Sequence, residues 1–550
     1  MSVDRRDFLK LGLQSGLAYL TLNPVSQVLA QNYARRVQAD PSPLRPVVGP
    51  FSSTNFNGDE YTRPHNILWD IAGYVQSKGG KPAVSEKRDV VIVGGGISGL
   101  SSAYFLQGKR PLLLEQGTQF GGNSKGEIFE GAPFSIGAAY LTVPEQGSSL
   151  HRMLHTVGAL PAGRHEKDTD AKVMVGTRGF QSLWNGEADP DNKGAIEQIV
   201  KDFTAINEKA YPSIPWQPGG MNRREMEQLD QGTFLQWLQQ RYGNKIPASL
   251  LEYFQLYCWS SFGGSIDEIS AAQALNFLVA ETEGIVAFPG GNSYVAQMMY
   301  QHLLRTLGPD SLRSNTIVLE VKTTPQGVEV LIEDAAGQLK TILCKACVVA
   351  SPKNVANFLV PEMTPQQRAL AKSIQYRAYV VANVALNQRV PSPCFDAFRM
   401  EGNVPPSPRF GKPGRRPFAD VCFANWAMGD RANRSILTIY KPFPYDGARN
   451  TLYDGPAFER VQKEVAASVG EILQAMKVPM ASIGGLRLSR WGHSLPLAAP
   501  RFFSTRQDEI FMTPTNGRIF YANQDNMINP SFEAAFDCAE IAASQILRMI

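Results

Sequence analysis

Residues 88–126, RDVVIVGGGISGLSSAYFLQGKRPLLLEQGTQFGGNSKG, constrain this chain more than any other stretch. Val90 to Val93 form a short apolar run bounded by charge and glycine, the pattern of a strand buried on both faces. Gly94, Gly96 and Gly99 follow in G-x-G-x-x-G spacing. Ile97, Leu100, Phe105 and Leu106 then recur on a helical period, and Pro111 to Leu114 make a second apolar run. The spacing predicts a β-α-β unit.

Each glycine has a physical task in such a unit. Gly94 permits the tight turn, Gly96 lets backbone N–H groups approach a pyrophosphate, and Gly99 allows helix and strand to pack closely. The helix N-terminus, opening with Ile97 and Ser98, faces the anion. Glu115 closes the second strand with Gln116 beside it, where a carboxylate accepts hydrogen bonds from a ribose diol and would repel a phosphate. Gly121 and Gly122 with Asn123 stand six residues beyond, a glycine pair that nicotinamide-binding units do not generally need. These residues point to FAD.

This stretch resembles the N-terminal FAD-binding segment of the flavin-containing amine oxidase superfamily, which includes monoamine and polyamine oxidases, L-amino-acid oxidases, protoporphyrinogen oxidase and the carotenoid desaturases. Three further stretches carry the resemblance: Phe288 to Gly291, Ala346 to Lys353, and Gly517 to Ala543. It implies an α/β chain, with a Rossmann-like FAD-binding domain over 86–144, 286–365 and 501–550 and an interleaved α+β substrate-binding (cap) domain over 145–285 and 366–500. It also implies an adenine contact at Val318 and flavin contacts at Gln524, Asp525, Ser531 and Phe532. On the substrate side it implies Trp491, His493 and Ser531. No cysteine lies between Asn523 and Asn529, so the FAD is expected to be non-covalent.

The sequence also departs from the family pattern. Asn123 replaces the usual Arg after the glycine pair, which moves a cationic pyrophosphate contact to Lys125 or removes it. Ser135 stands for an Asp, and Ser531 for the Tyr of the monoamine oxidase aromatic sandwich. Ala382 is aligned with the Lys that holds a water at the flavin.

At 550 residues, with 43% hydrophobic and 19% charged residues, the chain is long enough for two domains or interleaved lobes. A net charge of +4, without a dense Lys/Arg block, argues against a nucleic-acid partner. Arg5-Arg6-Asp7-Phe8-Leu9-Lys10 precedes an apolar run, Leu11 to Leu22, and Val28-Leu29-Ala30. The run is shorter than the ~20 residues a spanning helix needs. Residues 1–30 therefore read as a twin-arginine signal that engages the export machinery and delivers the protein to the periplasm or outside the cell.

Residues 31–85 read as an extended arm, packed on the body or reaching a neighbouring subunit in a homo-oligomer. Further on, Thr316–Lys322, Gly327–Glu333 and Lys340–Val349 read as a β-meander. Tyr379–Leu386, Val421–Trp426, Ile436–Lys441 and Gly485–Trp491 read as strands of one antiparallel sheet flooring the substrate cavity. Six scattered cysteines fit no disulfide framework, and Cys344 and Cys347 are read as structural thiols, with a disulfide as the alternative. His151 and His155 stand four apart without an acidic partner, and no metal is assigned.

The expected function is oxidation of an amine or amino acid at a C–N bond, by hydride transfer to flavin and then to oxygen or a quinone. One alternative is a desaturase or protoporphyrinogen-oxidase-like enzyme on a lipophilic substrate, favoured by Pro530-Ser531 and the missing Lys. Another is a flavin-bearing partner protein without turnover.

Overall fold

The computed structural model describes residues 40–52, 58–167, 172–404, 418–429 and 431–550. The signal segment and the first residues of the arm lie outside them.

The strand expected at Val90–Val93 extends over Val84–Val93 and lies inside a seven-stranded sheet. Its neighbours are Leu112–Leu114 and Leu339–Val349, both parallel to it. Val90 and Ile92 pack into one core with the helices Ile97–Phe105, Asn292–Leu307 and Phe532–Met549. Val91 and Val93 pack into a second core on the opposite face, with Leu112, Ile342 and Leu359. Burial on both faces explains the unbroken apolar run. Each such side chain removed from water stabilises the fold by about 1.5–3 kcal/mol.

The end of the Leu339–Val349 strand also pairs, in parallel, with Ile519–Tyr521. The last fifty residues are thereby brought back beside the glycine-rich turn. On the other side runs the antiparallel meander of Ile317–Thr324, Gly327–Glu333 and Leu339–Val349, close to the expected limits.

A second seven-stranded sheet runs in the order Ile483–Pro496, Tyr376–Leu386, Ile436–Phe443, Asp420–Phe423, Asp396–Met400, Lys172–Val175 and Phe180–Ser182. Tyr376–Leu386 is paired on both sides and buried along its whole length. Its Ala378, Val380, Ala382 and Val384 pack on the helix Gly455–Ala475 through Val461, Val465 and Val469. Tyr379 and Val381 point the other way. Helices between Lys193 and Ala280 cover one end of this sheet. Trp237 stacks there on Phe234, as a packing residue.

Two expectations need correction. The arm is not simply extended, because Thr62–Leu68 and Ile71–Ser77 are helices packed on the body of the chain. Neither carries a long apolar stripe. They are held by Ile67 against Ile317, Leu319 and Leu331, by the Arg63–Glu333 ion pair at 2.8 Å, and by Asp70 capping Gly73 N. The strand expected over Val421–Trp426 stops at Phe423, where Asn425 accepts from Ile436 N at 2.9 Å and the chain turns through Trp426–Met428.

A Cβ added at Gly99 would sit 1.8 Å from the carbonyl oxygen of Gly94. Gly99→Ala should therefore force helix and turn apart and cost about 1–3 kcal/mol of stability, measured by denaturant unfolding.

Candidate active site

A single cavity of about 1700 Å³ runs from the glycine-rich turn to the second sheet. That is larger than the few hundred to ~1,000 Å³ of an ordinary small-ligand pocket. The volume suits an elongated cofactor with a substrate beyond it.

At one end Gly94, Gly96, Ile97 and Ser98 line the wall, with Glu115, Gln116, Gly122 and Asn123 beside them. Gly94 has φ +105°, the conformation that the turn requires of a glycine. A Cβ on Gly122 would lie 3.0 Å from Gly96 Cα, so the wall here is bare backbone. Gly99 and Gly121 do not face the cavity. Gly99 packs behind the turn, and Gly121 N donates to Gly95 O at 2.8 Å, which draws the two glycine loops together. Such a cradle with a helix N-terminus fits a pyrophosphate.

Glu115 is buried, and its carboxylate accepts from Gly95 N at 2.8 Å and Gly117 N at 2.7 Å. Burial raises its pKa, opposed by Lys125 and by these two amides. Lys125 lines the cavity close by, where the sequence placed a replacement cation. Asn123 donates across the cleft to Ser494 O at 2.8 Å and so ties the glycine loop to the second sheet. Val318 lines the wall beyond Glu115.

The C-terminal segment closes the middle of the cavity. Asn523, Gln524, Asp525, Ser531 and Phe532 all reach it. Asp525 accepts from Lys353 N at 2.7 Å and from the Tyr376 hydroxyl. Ser531 has a structural duty: its hydroxyl accepts from Ala534 N at 2.9 Å, capping the last helix, and donates to Asn529 Oδ1. Ser135, in place of the family's Asp, donates to Ala138 O at 2.7 Å and accepts from Gly137 N, holding the loop that borders the cavity.

The second sheet forms the far wall, with Tyr379, Val381, Tyr440, Trp491 and His493 facing the cavity. Trp491 is 3% exposed, and its indole N–H donates to Ile136 O at 2.7 Å. Burial, with Arg449 and His65 adding to it, pushes His493 down to about 4, so its imidazole is neutral near pH 7. Ala382 belongs to the opposite face of its strand. The positions of this strand that face the cavity are Tyr376, Tyr379 and Val381, and none is a lysine.

Sequence reasoning missed a group of buried acids at the cavity's end. Asp420 accepts from Ser260 Oγ at 2.6 Å, and Glu281 accepts from Tyr140 and Tyr257 at 2.9 and 2.8 Å. Asp396 and Cys422 pair across adjacent strands, and the ligand atoms of Asp396, Asp420 and Cys422 lie within 4.8 Å of one another. Burial pushes Asp396 up to about 7, Glu281 to about 8 and Asp420 well above the carboxylate range. These acids come from separate segments and form no local motif.

Lys353 was also unassigned. It is fully buried, with its ammonium 4.4 Å from the Tyr521 ring centre and no hydrogen-bond partner among the described residues. Burial lowers it to about 7, against the pull of Asp525. All six cysteines are buried free thiols, and burial pushes Cys344 up to about 12. His151 and His155 occupy one helix, Ser149–Val157.

Residues 97–535 match the family model described as flavin containing amine oxidoreductase. The chain belongs to that family and is an FAD-dependent oxidoreductase. It is similar to oxidoreductase PigB of Serratia sp. (strain ATCC 39006), with 24% identity over 537 residues, 84% of this chain and 76% of that protein. A putrescine oxidase triple mutant redesigned in cofactor binding shares the fold, with TM-score 0.61 and 17% identity over 84% of this chain and 99% of that one. Cyclohexylamine oxidase from Brevibacterium oxydans matches with TM-score 0.58 and 15% identity over the same shares.

Glu115→Ala removes the carboxylate that the sequence pattern assigns to the ribose and strands the Gly95 and Gly117 amides. Hydrogen bonds to a charged group are worth about 1.5–3 kcal/mol, so the FAD dissociation constant should rise at least about tenfold, read from flavin absorbance of the purified protein.

Proposed function

We propose that the protein oxidises an amine at a C–N bond. The amine binds as a cation, and its nitrogen gives up one proton to solvent. The adjacent carbon then passes its hydride to non-covalently held FAD to leave an iminium, with oxygen or a quinone as the final oxidant. The observation that carries this reading is the acidic end of the cavity, where Asp396, Asp420 and Glu281 stand behind aromatic walls. Buried carboxylates are costly unless paired or neutralised, and an ammonium group supplies the missing partner. A neutral lipophilic substrate supplies none, which sets the desaturase reading second despite Pro530-Ser531 and the absent lysine.

In this reading Asp396 and Asp420 bind the substrate's positive end. Tyr379, Tyr440 and Trp491 exclude water and orient the carbon that is to be oxidised, while bound flavin supplies the acceptor for its hydride. His493, neutral at working pH, offers a hydrogen-bond partner without competing for the cation site. The putrescine and cyclohexylamine oxidases that share the fold act on amines, in keeping with this assignment.

The test is an anaerobic visible spectrum before and after addition of a panel of amines and amino acids. The flavin band should bleach with a cationic amine, and an unchanged spectrum across the panel would sink the proposal. The pH dependence has a definite sign. Asp396, held near 7, is neutral below that pH and ionised above it, so the amine concentration needed for half-bleaching should fall about tenfold between pH 6 and 8.

We also propose that the chain is exported folded by the twin-arginine route. The cofactor cradle joins residues 94–98, 115–125, 316–318 and 523–533, so only a folded chain can carry FAD across a membrane. Replacing Arg5 and Arg6 by Lys should leave the flavoprotein in the cytoplasmic fraction, as shown by cell fractionation.

A further inference from the structure

The segment from Gly58 to Trp69 crosses the cavity from one sheet to the other. It begins on the second sheet, where Asp59 N donates to Arg490 O at 3.0 Å and the Asp59 carboxylate accepts from Gly492 N at 2.6 Å. Asp59 is held there although burial raises its pKa. The chain then passes over the loop after Glu115. Glu60 accepts from Thr118 N at 2.8 Å through its carboxylate and from the Gln116 amide through its carbonyl. The helix Thr62–Leu68 finally lands on the meander beside Val318, held by Ile67 and by Arg63, which donates to Asn315 O at 2.9 Å as well as to Glu333.

Pro64, His65, Leu68 and Trp69 line the cavity on this side, with Val355 and Phe358 among the residues that share the wall. Trp69 is 75% exposed and meets Phe358 edge-on at 5.7 Å. Apart from that edge contact the indole is left in water at the rim of the cavity. A flat apolar ring held between this helix and Val318 would cover it.

We propose that Asp59–Trp69 is a strap forming the outer wall of the adenosine half of the FAD site. Its ligand is the adenosine diphosphate portion of the dinucleotide, with the adenine ring between Val318 and the end of the strap helix and Trp69 and Phe358 closing over its exposed edge. The strap spans the route into this end of the cavity, so the cofactor enters and leaves only when the strap lifts from its anchors. Arg63 acts as the tether, and Trp69 supplies contact. These roles have different kinetic signatures.

The test follows FAD release from wild-type, Arg63→Ala and Trp69→Ala holoenzymes by the rise of free flavin fluorescence after dilution, and FAD uptake by the corresponding apoproteins. Loss of the tether should speed both release and uptake, each on the order of tenfold. Loss of the contact residue should speed release by a similar factor and leave uptake unchanged. Trp69 is largely in water, so its replacement does not disturb the core, and it decides the matter if Arg63→Ala fails to fold. Wild-type release from Trp69→Ala would overturn the proposal. Hydrogen exchange of the apoprotein adds a second readout: ADP should slow exchange in residues 59–69, whereas FMN should not, and equal protection by FMN would also overturn it.

Discussion

The molecule depends on an approach of backbone to backbone that side chains would prevent. Gly99 packs against the carbonyl of Gly94, and Gly96 meets Gly122 face to face. The helix after the turn can therefore lie close to the sheet, and the loop of Gly121 to Lys125 can close against it. From that loop Asn123 reaches Ser494 on the second sheet. One set of close contacts thus shapes the cofactor cradle, and Asn123 is one of several side chains, with Trp491 and Tyr440, that tie this side of the cavity to the second sheet.

The two ends of the cavity face opposite electrostatic problems. The glycine end presents amides, a helix N-terminus and the buried Lys125, which together favour an anion. The far end presents buried acids whose ionisation is opposed by their surroundings. Desolvation outweighs their local hydrogen bonds, and their pKa values rise toward neutrality. A bound cation would reverse this balance, so the site holds an electrostatic preference that a cationic ligand can satisfy. Lys353 meets the same cost from the other sign, held above two aromatic rings with Asp525 nearby.

Much of the cofactor end was legible because local rules write it. The glycine spacing, the strand run of Val90 to Val93 and the acid at Glu115 lie within one short stretch, and each follows from the conformation of its own neighbourhood. Parts of four strands of the second sheet were legible, whereas Asp396–Met400, Lys172–Val175 and Phe180–Ser182 were not. The facing of the legible strands was harder. A shift of one residue turns a strand side chain to the opposite face, and Ala382 lies in the core while Tyr379 and Val381 reach the cavity. The arm helices were not legible, because seven residues with one buried side chain, or none, carry no periodic signal; Glu333 and Ile317, far along the chain, hold them.

By itself the sequence determined that the chain carries a Rossmann-like flavin-binding unit completed by a C-terminal segment, because glycine spacing and apolar runs act through neighbours in the chain. Only the tertiary structure decided what surrounds that unit. Asp396, Asp420 and Glu281 come from three segments, and the strap comes from a fourth; none has a pattern of its own. Their meaning arises from burial and from juxtaposition across sheets, and both belong to the folded chain.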